Sequence, residues 1–583
     1  LLQRDGAVNP KAMFAHPTDP AQARRLWFAD LVVLAVVIGA FLLAFLGSRP
    51  LGVPSEARYA ELGREIVATG DWVTPRINGV RYFFKPPLFY WIQAVSIHAL
   101  GLSEFALRLA TALFALGGCL LAYVGGRALF DRPTGLLAAI VLATTLLWFA
   151  LGRIILLDVP VGVFLSLSLL AFMLAVQAAP QSRARTVWLY TMYAAAAAAT
   201  MTKGLIGIVL PALVIGLWIV LTWNWRLLLQ VRLLSGLALF LALTVPWHVA
   251  VGVQSPEFWH FYFVREHLER FTSTVHGRYQ PWWFFAPILL VGSFPWLGFL
   301  GQALVRNLRD CAVAGPHRAV ELYLALWFWA ILLFFSISDS KLIPYVTPIM
   351  VPLAILIARY VGQALQAPVP ARGLRVGLWI LVGFAALVAA AALAVGVAGP
   401  QLASGDLAQD LASARPYMGW LCAGAGATSA AMAFALLRGK RAAALGLSVA
   451  AAATLYLGVD TTMADHQPRS IKPIAEILRE VAQPEDEIAA YRTYPQDLPV
   501  YLGRRITVMG WSGELDFGRV AEPATQEWMF DDEPELWRRW NSERTVYMVV
   551  PLPFAATVQA SAGPRYVELA RTRRHLLVVN RAP

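Results

Sequence analysis

The chain has 583 residues, 58% of them hydrophobic and 14% charged, a balance too apolar for a soluble protein of this length. Its formal charge of +12 is spread over short loops between apolar runs. That spread excludes a nucleic-acid-binding face as the source of the excess and points instead to membrane orientation. Cys119, Cys311 and Cys422 lie far apart in or beside apolar stretches, without metal-site or disulfide spacing, and read as structural.

In chain order, Arg24 and Arg25 precede an apolar run of about twenty residues. This is a spanning length rather than the shorter core of a cleaved signal, so the run reads as a first membrane helix. Further runs of spanning length begin near Phe105, Gly135, Val159, Val187, Gly204, Leu233, Trp282, Leu322, Leu342, Leu374, Met418 and Ala442. The predicted fold is therefore a polytopic α-helical membrane protein with about thirteen transmembrane helices. Parity puts Arg127, Arg132, Arg183, Arg185, Arg226, Arg232, Arg306, Arg309, Arg372, Arg375 and the stretch from Arg438 to Arg441 on one side. By the positive-inside rule that side is cytoplasmic.

The other side receives the loops at 48–104 and 254–280 and everything after about Asp460. The first loop mixes charges with Tyr90, Trp91 and a Lys-Pro-Pro and predicts short helices lying at the membrane interface. Beyond His466 a helix is predicted over Ile474–Val481 and strands over Glu487–Tyr491, Tyr547–Pro551 and His575–Val579. This gives residues 1–460 as a transmembrane domain and 461–583 as a small soluble α/β domain. The Ala-rich stretch Ala194–Ala199 reads as a tightly packed helix face.

Candidate chemistry collects on that second side. Ser55-Glu56-Ala57-Arg58-Tyr59-Ala60-Glu61 carries charges of both signs; a solvated interfacial helix would also explain it. In Arg81-Tyr82-Phe83-Phe84-Lys85-Pro86-Pro87 two prolines hold the backbone out of regular helix behind Lys85. A fixed cation beside the bilayer suits a phosphate headgroup. Asp158 lies in a tight turn before Pro160, where it is either a helix N-cap or a functional carboxylate at the membrane edge. Lys203, in Thr-Lys-Gly, is either a snorkelling lysine or part of the same site. Arg265, Glu266, His267, Glu269 and Arg270 read mostly as a solvated face, with an arginine available to the cavity. Asp339, Lys341, Pro344 and Tyr345 complete the set.

These residues resemble a family. Pro-Ser-Glu-Ala-Arg-Tyr-Ala-Glu at 54–61, Gly-Asp-Trp at 70–72, Tyr-Phe-Phe-Lys-Pro-Pro-Leu at 82–88 and Ser-Asp-Ser-Lys-Leu-Ile-Pro-Tyr at 338–345 are similar to the GT-C glycosyltransferases that use polyprenyl-phosphate sugars. Tyr-Pro-Gln-Asp-Leu-Pro-Val-Tyr at 494–501 and Gly-Glu-Leu-Asp-Phe-Gly at 513–518 resemble the soluble domain of the aminoarabinose lipid A transferases and favour that subfamily over protein O-mannosyltransferases. Ser55 stands where the family usually has Asp, and Phe84 where many members have Glu.

The resemblance implies an inverting transfer of 4-amino-4-deoxy-L-arabinose from undecaprenyl phosphate to a phosphate of lipid A. It places the reaction on the periplasmic face of a bacterial inner membrane and links it to polymyxin resistance. Asp158, Glu56 and Lys85 are the implied catalytic residues, and Arg58, Tyr59, Tyr82, Lys203, Arg270 and Tyr345 the implied substrate-binding residues. No cofactor is required, although Glu266 and His267 are capable of holding a divalent metal adventitiously. The implied partners are the two lipids and the bilayer, with no nucleic acid. Another polyprenyl-phosphate sugar transferase and, from a different class, a lipid transporter are the alternatives; a transporter predicts related halves or broken helices with polar residues near mid-membrane.

Overall fold

A computed structural model describes residues 20–269, 279–313, 315, 317–367, 372–402, 406–462, 470–511 and 513–581. The chain opens with α1 (Pro20–Leu43), then enters the first loop, which folds as α2 (Ser55–Thr69), a hairpin of β1 (Arg76–Ile77) and β2 (Val80–Arg81), and α3 (Leu88–Leu100). The membrane bundle continues with α4 (Glu104–Leu129), α5 (Arg132–Thr144), α6 (Leu146–Gly152), α7 (Asp158–Gln177), α8 (Arg183–Lys203) and α9 (Ile206–Thr222). Local chemistry sets several starts. Ser103 accepts the Ala106 amide, Asp131 the Thr134 amide and Ser182 the Arg185 amide, each satisfying a donor that the first helical turn leaves open.

Every predicted apolar run is met by helix. By length and composition, nine helices among the described residues are able to cross a bilayer, or eleven if two bent pairs each count as one span. α8 and α9 fall outside that set. They pack against each other and α7, with Ala197 and Ala199 fully buried, as the Ala-rich stretch predicts.

The bent pairs are α5–α6, turning by 64°, and Phe285–Gly292 with Leu297–Ala312, turning by 116°. A break inside lipid frees backbone groups that must find partners. Here the breaks serve each other: the Leu146 amide donates to the Phe294 carbonyl at 2.9 Å, and Trp296 Nε1 donates to Thr144 Oγ1 at 3.0 Å. Broken helices are thus present, but they are closed on one another by apolar packing and these bonds.

The C-terminal domain carries a six-stranded sheet in the order β5-β4-β3-β6-β8-β7. Its strands are β3 (Glu487–Tyr491), β4 (Thr507–Met509), β5 (Met529–Phe530), β6 (Val546–Pro551), β7 (Val567–Arg571) and β8 (His575–Val579). β3 to β6 pair in parallel, and β8 adds antiparallel to β6 and β7. Three strands match the prediction; β4, β5 and β7 are additional.

The first loop is not a solvated strip. α2 and the hairpin are sandwiched between the bundle and the α/β domain, sharing one apolar core with Ile474, Leu498, Tyr501 and Val508. Asn78 and Gly79 both take positive φ in the β1–β2 turn, the geometry a two-residue hairpin requires. The Asn78 side chain then exchanges two 2.9 Å bonds with the backbone of Ile506, and Trp528 Nε1 donates to the Asn78 carbonyl at 2.8 Å.

Candidate active site

Asp158 is the first residue of α7, and its N-cap position is held by Leu157. Its carboxylate does not cap the helix but pairs with Lys203 at the C-terminal end of α8. The Lys203 ammonium also sits 4.6 Å from the Tyr345 ring centroid, so it is neither an N-cap's neighbour by accident nor a snorkelling cation turned to solvent. Thr347 Oγ1 donates to the Asp158 carbonyl at 2.8 Å, which ties the segment Ile343–Ile349 to the start of α7. Asp158, Lys203 and Tyr345 form one constellation, and all three are only half-buried.

Arg58, Tyr59, Tyr82 and Lys85 form the second group. Arg58 pairs with Glu514 of the α/β domain at 2.7 Å and lies beside the Tyr82 phenol. Burial favours its neutral form, but the surrounding phenols and Glu514 outweigh that and raise its pKa. Burial pushes the Tyr82 phenol well above its ordinary value despite Arg58, so it stays a neutral hydroxyl. Tyr59 stacks on Tyr90 and Tyr82 on Phe84, fixing the phenols from behind. Lys85 follows Phe84 and is half-buried. Phe83 shares an apolar cluster with Met201, two residues before Lys203, and this packing brings the two groups to one face.

Glu56 is placed differently. It is 4% exposed, and its oxygens accept two bonds of 2.9 Å from Arg108, one from the Gly52 amide at 2.8 Å and one from the Ile155 amide at 3.0 Å. Burial pushes its carboxyl up, but Arg108 and Arg49 outweigh this and hold it below the usual range. A carboxylate so fully engaged holds α2 and the residues before α7 in position and has no lone pair directed at a substrate. The catalytic part implied for it from sequence therefore becomes a positioning one. Ser55, beside it, is exposed.

Arg270 and the side chains of His267 and Glu269 lie outside the described residues. Within the π-helical segment His260–Glu269, Glu266 is buried, while Arg265 lies over the Phe261 ring, so the expected solvated face is solvated only in part. Lys341 is buried and donates to the Gln280 carbonyl at 2.7 Å, and an isolated bridge joins Tyr279 to Ser340, so the two loops are stitched together. Sequence reasoning missed Glu514 as a site residue although its motif was visible. It also missed Arg108, whose signal was an arginine in a long apolar helix.

An Asp158–Lys203 pair, an arginine held by phenols and a lysine ahead of two prolines thus belong to one bundle of helices long enough to cross a membrane. Residues 53–262 match the family model described as dolichyl-phosphate-mannose-protein mannosyltransferase, and residues 474–580 match the aminoarabinose transferase C-terminal domain. Two relatives are named undecaprenyl phosphate-alpha-4-amino-4-deoxy-L-arabinose arabinosyl transferase. The one from Erwinia tasmaniensis is 33% identical over 64% of this chain and 68% of its own length. The one from Pectobacterium carotovorum is 30% identical over 83% and 86%. The crystal structure of ArnT from Cupriavidus metallidurans bound to undecaprenyl phosphate superposes with a TM-score of 0.81 at 28% identity, covering 95% of this chain and 99% of that one. The chain belongs to the undecaprenyl phosphate-aminoarabinose arabinosyl transferase family.

Proposed function

We propose that this protein transfers 4-amino-4-deoxy-L-arabinose from undecaprenyl phosphate to a phosphate of lipid A, at the periplasmic face of the inner membrane. The observation that carries the reading is the bond between Arg58 of the first loop and Glu514 of the aminoarabinose transferase C-terminal domain, which builds that domain into the cationic side of the site.

An acceptor phosphate oxygen attacks the anomeric carbon from the face opposite the leaving group. The bond from that carbon to the bridging oxygen breaks, its electron pair stays on undecaprenyl phosphate, and the configuration inverts. Negative charge develops on the leaving phosphate, so fixed cations supply most of the acceleration. Lys85 and Arg58 take this part, with Arg270 as a third cation, and the Tyr59 and Tyr82 hydroxyls donate hydrogen bonds to the same oxygens. The acceptor is already anionic, so a strong general base is unnecessary. Asp158 then exchanges Lys203 for the sugar ammonium, or orients the acceptor with Lys203 still bound; Tyr345 walls this side.

Mass spectrometry of lipid A from cells with and without the protein tests the proposal, using Asp158→Asn at matched expression as the control. Aminoarabinose-bearing lipid A only with the wild-type chain is the expected result. Unmodified lipid A accompanied by new protein-linked sugar would transfer the assignment to a protein glycosyltransferase.

A further inference from the structure

Beside the site, three buried guanidiniums cluster with the buried Glu56 and the half-buried Asp460. Arg108 is fully buried on Glu56; Arg49 lies 3.5 Å from Glu56 and 3.2 Å from Asp460; Arg153, 2% exposed, lies 2.7 Å from Asp460. Lys472 and Glu104, which come next, pair with each other and cancel. Among the described residues the cluster therefore keeps one positive charge more than it neutralises, and an uncompensated buried charge is costly. Arg153 Nε, moreover, has no hydrogen-bond partner among the described residues.

Arg49, Arg153 and Asp460 form one end of a cavity of 450 Å³ whose remaining lining is almost wholly apolar. A second cavity of 440 Å³, between the helices Arg372–Leu402, Asp406–Leu437 and Arg441–Thr462, shares Phe294, Phe384, Val388, Leu421, Leu455 and Val459 with the first. The two are chambers of one groove with an apolar body and a cationic end. Asp460 closes the helix that leads into the α/β domain, so the cationic end lies at the membrane surface on that domain's side. Each chamber is within the roughly 300–1,000 Å³ range of ligand sites.

We infer that this groove is a binding site for an anionic bilayer phospholipid, its phosphate on the Arg49–Arg153 end and an acyl chain along the helices 372–462. The site is separate from the residues assigned to the transfer, and it neutralises the surplus charge that fixes the segment leading to Asp158. Gly424 and Gly458 line the far chamber, and a Cβ at either would meet no atom within 4 Å, so larger side chains there fill the groove without displacing backbone.

The test uses the full chain, purified in a neutral detergent and stripped of lipid, with phosphatidylglycerol or phosphatidylcholine of one chain length added and adducts read by native mass spectrometry. One phosphatidylglycerol is expected to be retained about tenfold better than phosphatidylcholine, the factor expected from one charge-assisted contact. Gly424→Leu and the fuller Gly424→Phe/Gly458→Phe variant are expected to lose that adduct while staying monodisperse. Arg49→Gln should keep an adduct and lose the preference. Excess undecaprenyl phosphate should leave the phosphatidylglycerol in place. Equal retention of the two phospholipids, an unchanged adduct in monodisperse Gly424→Leu, or one-for-one displacement by undecaprenyl phosphate would each overturn the assignment.

Discussion

Asp158 and Glu56 are both carboxylates near one membrane surface, yet their surroundings assign them opposite parts, and substitution separates them. Asp158→Asn keeps the shape and weakens the pairing with Lys203, so turnover should fall by about 10²-fold or more while the thermal midpoint hardly moves. Glu56→Gln leaves Arg108 buried against a neutral amide; breaking a buried pair costs about 3–5 kcal/mol, so loss of folded protein should dominate. Turnover per folded molecule, measured beside unfolding temperature, distinguishes the two. A Glu56→Gln protein of wild-type stability would overturn the positioning role. Lys85→Ala, at a half-buried position outside the packed core, should abolish transfer with little loss of folded protein; transfer at the wild-type rate would remove Lys85 from the site. Asp158, Lys203 and Tyr345 were legible as candidates because charge and phenol at an apolar boundary are conspicuous. The closure of Glu56 by Arg108 was not legible, since the two are 52 positions apart and only folding pairs them.

At the scale of elements, α2 meets the α/β domain through a second buried charged group. Glu61 accepts from Arg64 at 2.7 Å and is raised to about 7, chiefly by burial and in spite of Arg64. Asp497, whose side chain accepts from the Ile471 amide, is raised by burial to about 6. For an acid with a raised pKa the folded state holds the extra proton. The associated stability is therefore fully present below the unfolded pKa, near 4.5 for Glu61, and is lost as pH rises through about 7. Thermal unfolding should accordingly show a midpoint that falls between pH 5 and pH 8, and Glu61→Gln should flatten that slope; an unchanged slope in the variant would assign it elsewhere. Glu514→Gln, which loosens Arg58 without touching the bundle, should lower turnover about tenfold. The strands that escaped prediction explain themselves. β5 has two residues, and β7 is an irregular edge strand with Glu568 and Arg571 exposed, so neither shows the continuous apolar run that marks the buried β6 and β8. The Asn-Gly pair at 78–79 is the strongest short-range hairpin signal in a loop otherwise dominated by charges.

For the whole molecule, apolar runs predicted the helical bundle because lipid demands long, internally bonded helices. They did not predict which runs are bent: Thr145 gives no break signal in the first, while Pro295 after Gly292 and Ser293 marks the second. Orientation is testable by labelling in a background with the three native cysteines replaced. A cysteine at Glu543, fully exposed on the α/β domain, should react with an impermeant thiol reagent added outside, whereas one at Arg438 should be shielded. The reverse pattern would move the candidate site to the cytoplasm. Asp497 of the same domain is fully buried and is unsuitable for this purpose.

The seam between the first loop and the α/β domain constrains how such proteins diversify. Asn78 clasps Ile506 and Trp528, Arg76 and Arg81 meet Glu522, Arg58 meets Glu514, and Phe517 stacks on Phe261 at 4.0 Å. The soluble part is thus not an interchangeable module hung on a tether. A chimera that takes only the residues after 470 from a relative inherits half of each of these pairs and should misassemble. Grafting residues 49–81 and the segment around Glu257–Phe261 along with them should restore a working hybrid.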